Sequence, residues 1–192
     1  MTLRSRASGS ALSLRALLAG LVSLLLVVAW TAPAAALEGA VAQVKRLAMI
    51  GFTVSDMERS IAFYEKVLSF EKVADTQVAG SAYDTLSGVF ASRVRVVHMK
   101  LGEQTLELTQ YISPPDGRPI PVPSRSNDLW FEHTAIVVSD MDKAYEILQR
   151  HGVRQISPEP QTIPASNVPA AGIKAFKFRD PDNHDLELLY FP

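Results

Sequence analysis

The sequence predicts an α+β fold, two tandem β-α-β-β-β modules whose sheets form a shared concave cleft. Three observations lead there. LAMIGFTVSDMERS (47–60) returns 84 residues later as EHTAIVVSDMDKA (132–144). Each copy is followed by strand candidates that reach the same tripeptide, Leu106-Glu107-Leu108 and Leu186-Glu187-Leu188. A small sheet with one helix covers only one of its faces, so two copies are expected to associate.

The amino terminus reads as a signal peptide over residues 1–36. Arg4, Arg6 and Arg15 precede the apolar run 16–30, and Ala34-Ala35-Ala36 follows it as a cleavage site. The run has 15 residues, short of the roughly 18–20 that span a bilayer. The expectation is export to the periplasm or the medium, with no membrane association after cleavage. Three of the 19 basic residues and none of the 20 acidic ones lie in this segment, so the remainder is acidic. That excludes a basic nucleic-acid-binding surface. With no Cys, thiolate metal sites and thiol nucleophiles are excluded as well.

Residues 37–45 are a short linker, and the first module runs from 46 to 112. RLAMIGFTV is a strand of apolar and β-branched residues. Ser55 and Glu58 occupy the positions of a capping box. Met57, Ile61, Tyr64 and Leu68 follow as one apolar helical stripe. Strands are predicted at 70–78, 93–101 and 104–112, with 79–92 as an insertion. Gly102-Glu103 suits a two-residue hairpin turn. If it sets the register, His98 faces Glu107.

Five prolines make 113–128 an extended connector. The second module, 129–192, repeats the pattern. Ser139 and Asp142 stand at the box positions, and Met141, Tyr145 and Leu148 form the stripe. Gly152 suits a left-handed helix end. Strands are expected at 153–161, broken by two prolines, at 173–180 and at 185–191. Asp180-Pro181-Asp182-Asn183 is a turn in which Asn183 tolerates positive φ.

Aligning the copies sets Met49 against His133 and Glu107 against Glu187. Each glutamate is flanked by leucines, so alternation turns the carboxylates away from the apolar face. His184 lies on the opposite face from Glu187. Trp130, Phe131, Tyr111, Phe176 and Phe178 are available as an aromatic wall or as core. Ser124-Arg125 and Arg179 are available to meet an anionic substrate, with solvated loop charges as the simpler reading.

VSDMERSIAFY, LEL, HTAIVVSD and DPDNHDLEL together resemble the vicinal oxygen chelate superfamily, which includes glyoxalases, bleomycin-resistance proteins and ring-cleaving dioxygenases. The resemblance covers about residues 46–191. It implies a divalent metal ion held from the first and fourth strands of each module, which here are Met49, Glu107, His133 and Glu187. Met49 departs from the pattern, because a soft thioether is a poor ligand for hard or borderline ions. The expected metal set is therefore Glu107, His133 and Glu187, with Glu187 or Glu107 as general base. Met49, His98 and Trp130 are expected to contact substrate, with His98 also placed to replace the missing ligand. The resemblance implies a lyase or isomerase acting on a small oxygen-rich molecule. The alternative is a metal-free protein that binds or sequesters a flat apolar ligand, as a monomer or a homodimer.

Overall fold

The computed structural model describes residues 45–130 and 132–192. The predicted signal peptide and Phe131 lie outside the described residues. Among those described, no helix is long and apolar enough to cross a membrane.

The first module is β1 (Ile50–Thr53), α1 (Met57–Leu68), β2 (Glu71–Ala79), α2 (Ser81–Ser87), β3 (Arg93–Leu101) and β4 (Gln104–Ser113). Its sheet has the order β1-β4-β3-β2, with β1 and β4 parallel and the other pairs antiparallel. The second module is β5 (Thr134–Val137), α3 (Met141–Arg150), β6 (Arg154–Gln155), β7 (Gln161–Thr162), β8 (Lys174–Arg179) and β9 (Asp185–Tyr190). Its order is β5-β9-β8-β6, and β7 pairs with another stretch of β8. The expected strand at 153–161 is thus two short pieces, because Pro158 and Pro160 cannot donate to a ladder. The expected insertion at 79–92 contains the short helix α2, closed where Asp84 accepts from Ser92 N–H and Oγ.

Both helices begin one residue later than the capping-box reading. Asp56 caps α1 by accepting from Arg59 N–H, and Asp140 caps α3 by accepting from Lys143 N–H. Ser55 is engaged elsewhere. Its N–H and hydroxyl donate to the two oxygens of Asp182, at 3.1 and 2.5 Å, tying the start of α1 to the closing turn of the second module. Arg59 reaches the same carboxylate at 2.8 Å.

One core joins the modules. Phe52, Tyr64 and Leu108 belong to it with Ile136, Leu148, Phe176, Phe178 and Leu188. These side chains come from strands of both sheets and, for Tyr64 and Leu148, from the helices α1 and α3. Tyr64 crosses the boundary to donate to Asp180 at 3.0 Å. Burial raises the Tyr64 phenol well above its ordinary pKa, and the Asp180 charge adds to the effect. Gly152 and Asn183 both take the left-handed conformation expected of them.

Candidate functional site

Alternation along β1, β4, β5 and β9 puts two sets of polar residues on the faces turned away from the core. In the first module Gly51 pairs with Glu107 across the β1–β4 ladder, and His98 pairs with Glu107 across β3–β4. The hairpin at Gly102-Glu103 holds that second register, with Leu101 opposite Gln104 as expected. His98 Nε2 lies 3.1 Å from Glu107 Oε2, and both side chains are one-third exposed.

In the second module Ala135 pairs with Glu187 and Lys177 pairs with Glu187. Ala135 therefore answers to Gly51, and Lys177 answers to His98. The imidazole comes from the other side of the carboxylate. His133, two residues before Ala135, brings Nε2 to 3.0 Å from Glu187 Oε2. Glu187 is the more sheltered glutamate, its side chain 14% exposed.

His133 has carboxylates at both ring nitrogens. Glu132 meets Nδ1, and Lys177 Nζ binds Glu132 while lying 3.3 Å from the same Nδ1. The Lys177 hydrogen bond holds the Glu132 carboxyl below its ordinary pKa, against the smaller opposing effect of burial. In one tautomer Nδ1–H donates to Glu132 and the Nε2 lone pair faces the Glu187 carboxylate, an arrangement completed by a proton or a cation between them. In the other Nδ1 accepts from Lys177 and Nε2–H donates to Glu187. A carboxylate orienting the far nitrogen of a histidine is also how protein metal sites select the ligating tautomer.

The donor set is suitable for a divalent ion. Imidazole nitrogen and carboxylate oxygen suit borderline and hard metals. Neighbouring ligands of an octahedral ion held at roughly 2.1 Å stand about 3 Å apart. Both His–Glu pairs have that spacing. The expected trio of Glu107, His133 and Glu187 does not gather in one chain, and among the described residues no three such groups converge as metal ligands. Glu107 joins His98 on one sheet, and Glu187 joins His133 on the other.

The remaining candidates separate clearly. Met49 is 40% exposed, and Trp130, 56% exposed, borders a different cavity. Phe176 and Phe178 are core, as expected for most of the aromatics. Arg179, read as a solvated charge, is instead buried, bonded to Asp185 at 2.6 Å and to the carbonyl of Ser124 at 2.8 Å. The loop 114–130 folds back over β8 and supplies that carbonyl, which the sequence pattern did not reveal. Burial pushes the Asp185 carboxyl up despite the opposing Arg179 charge. Glu132 and Lys177 were not singled out from sequence. Aligning KAFKFRD with RVRVVHMKL through their glutamate partners would have exposed Lys177.

The family model for the Glyoxalase/Bleomycin resistance protein/Dioxygenase superfamily matches residues 46–188. The chain belongs to this superfamily. A 2-epi-5-epi-valiolone epimerase from Actinomyces sp is 32% identical over 149 residues, 74% of this chain and 78% of that protein. The glyoxalase family protein APC24694 from Bacillus cereus superposes with a TM-score of 0.63 at 21% identity, covering 79% of this chain and 98% of that one. A glyoxalase family protein from Enterococcus faecalis gives a TM-score of 0.54 at 20% identity, over 76% and 97% of the two chains. The structural likenesses bear out the α+β fold of the superfamily.

Proposed function

We propose that the protein is a metal-assisted isomerase of the epimerase type, acting on a small molecule with a carbonyl beside a hydroxylated carbon. The observation that carries this reading is the His133 imidazole set beside the Glu187 carboxylate, with Glu132 at its other ring nitrogen. The matching His98–Glu107 pair supports it, as does the likeness to an epimerase.

Epimerisation beside a carbonyl needs a base that removes the proton on carbon and returns one to the other face. Glu107 and Glu187 are the bases available. A bound divalent ion would supply Lewis acidity to the vicinal oxygens of the substrate. His98, Glu107, His133 and Glu187 would hold it. Glu132 fixes the His133 ring, and Lys177 neutralises Glu132. Met49 offers an apolar wall where the superfamily pattern has a ligand. Because the two pairs occupy separate sheets, the full donor set requires one copy's first module to face the second module of another, so the active unit proposed is a homodimer. The basic and apolar amino-terminal pattern supports an exported protein.

The test is proton exchange. The full chain would be incubated in D2O with manganese and a polyhydroxylated cyclic ketone, and the C–H beside the carbonyl followed by NMR. Metal-dependent loss of that signal, abolished in Glu187→Gln, is expected. Absence of exchange with manganese, iron, nickel and zinc over a panel of such ketones would contradict the reading. The exposed thioether of Met49 would then favour metal-free sequestration of an apolar ligand.

A further inference from the structure

A second constellation lies where the modules meet, apart from both His–Glu pairs. His184 lines a cavity of about 400 Å³ beside β1. Its ring is fixed on two sides. Nδ1 stands 2.8 Å from Asp180 Oδ2, and Phe52 stacks on the ring at a centroid distance of 4.6 Å. Asp180 is itself immobilised. It is 3% exposed, and its carboxylate also accepts from Tyr64 OH and from the N–H groups of Asp182 and His184.

Such a carboxylate holds the proton on Nδ1 and leaves Nε2 as an acceptor. His184 Nε2 has no protein partner among the described residues. His184 is among the residues that line the cavity, and its side chain is 16% exposed. The neighbouring walls are apolar, formed by Ile50, Phe52, Ile120 and Trp130. Of the charged lining, Arg179 pairs with Asp185 and Glu132 is bound by Lys177, while Asp128 accepts from the backbone N–H of Arg125. A cavity of this size, with apolar walls and a few fixed polar groups, has the make-up of a small-molecule site.

We propose that this cavity is a binding site for a small hydroxylated aromatic, its hydroxyl donating to His184 Nε2 and its ring lying against Phe52, Ile120 and Trp130. None of His98, Glu107, His133 and Glu187 lines it, while Glu132, which meets His133, stands at its edge.

Calorimetry on the full chain with 4-ethylphenol, in the presence of EDTA at neutral pH, tests it. The methyl ether, 4-ethylanisole, keeps the body of the probe and removes the donor. Saturable binding of the phenol at one site is expected, at least about tenfold tighter than the ether. His184→Gln is expected to bring the phenol down to the ether's affinity and leave the ether unchanged, while Trp130→Ala weakens both. On the unaltered chain, the His184 Nε2 signal in a ¹⁵N correlation spectrum is expected to move with the phenol and not with the ether, which tests the contact even if His184→Gln folds poorly. Equal affinity for phenol and ether, an unmoved Nε2 signal, or no saturation by the phenol at concentrations of about 1 mM would each overturn the proposal.

Discussion

The two modules hold the same carboxylate in the same strand position and approach it with histidine from opposite sides. In the first, His98 comes from β3, and Met49 stands where the other copy has its imidazole. In the second, His133 comes from just before β5, and Lys177 fills the β3 place. The two modules thus share the Glu, place a small residue opposite it (Gly51 or Ala135), and differ in where the imidazole stands. The second pair is also better built. It has the more sheltered glutamate and the Glu132–Lys177 brace, for which the described residues of the first pair show no counterpart. The element common to both modules is therefore a His–Glu pair of similar spacing, with the histidine reaching it from different places.

Substitutions that separate the modules sharpen this comparison. Glu187→Gln is expected to have the largest effect, removing a carboxylate from the braced pair and lowering divalent-metal affinity by more than about a hundredfold, beyond the usual loss for an outer partner. Glu107→Gln should follow, and His98→Gln should weaken binding nearly as much as Glu107→Gln. If His98 were a bystander, its replacement would leave the titration unchanged. Glu132→Gln should cost roughly tenfold, as expected of a residue acting through His133, and should leave the affinity of a His133→Gln chain almost unaltered.

Stability offers a second contrast, between the contact joining the modules and one within a single sheet. Tyr64→Phe removes the donor to buried Asp180, and denaturant unfolding should show a loss of about 1–2 kcal/mol. The Tyr64 pKa is raised in the folded state, so its proton is held more tightly there than in the unfolded chain. Its contribution is complete below the unfolded phenol value of about 10 and is lost as pH rises toward the folded value. The parent should thus weaken above that pH by up to about 1.4 kcal/mol per unit, and Tyr64→Phe should flatten this alkaline limb. The smallest effect belongs to Asp75, whose pKa is lowered to about 2 mainly by its hydrogen bond to Arg95. That contribution is present above the ordinary carboxylate value and disappears as pH falls toward about 2. The pair is partly exposed, so Asp75→Asn should cost under about 1 kcal/mol near neutrality. A greater loss would mean that the β2–β3 edge depends on charge more than its exposure suggests.

Much of this was legible in the sequence because it is local. Period-two alternation set which way Glu107 and Glu187 face, and Gly102 set the hairpin that places His98 opposite Glu107. The repeat located Met49 and His133. The sequence pattern was silent where a residue's role depends on the other module. Ser55 has the chemistry of a cap, yet the carboxylate of Asp182, 127 positions away, takes its hydroxyl and leaves Asp56 to start the helix. Arg179 has the look of a solvated charge until the loop 114–130 covers it. The Asp180–His184 dyad hides in a turn that reads only as a turn. For Ser55 and Arg179 the deciding contact is long-range, and local propensity carries no trace of it.

The central claim is that both His–Glu pairs hold a divalent ion. Its most direct test is a manganese or zinc titration of the chelator-stripped full chain beside His98→Gln, with oligomeric state measured on the same samples. The account predicts about one ion per chain, bound in dimers, with affinity lost in His98→Gln as in Glu187→Gln. Stoichiometric binding that ignores His98, or no binding at all to a correctly folded chain, would contradict it.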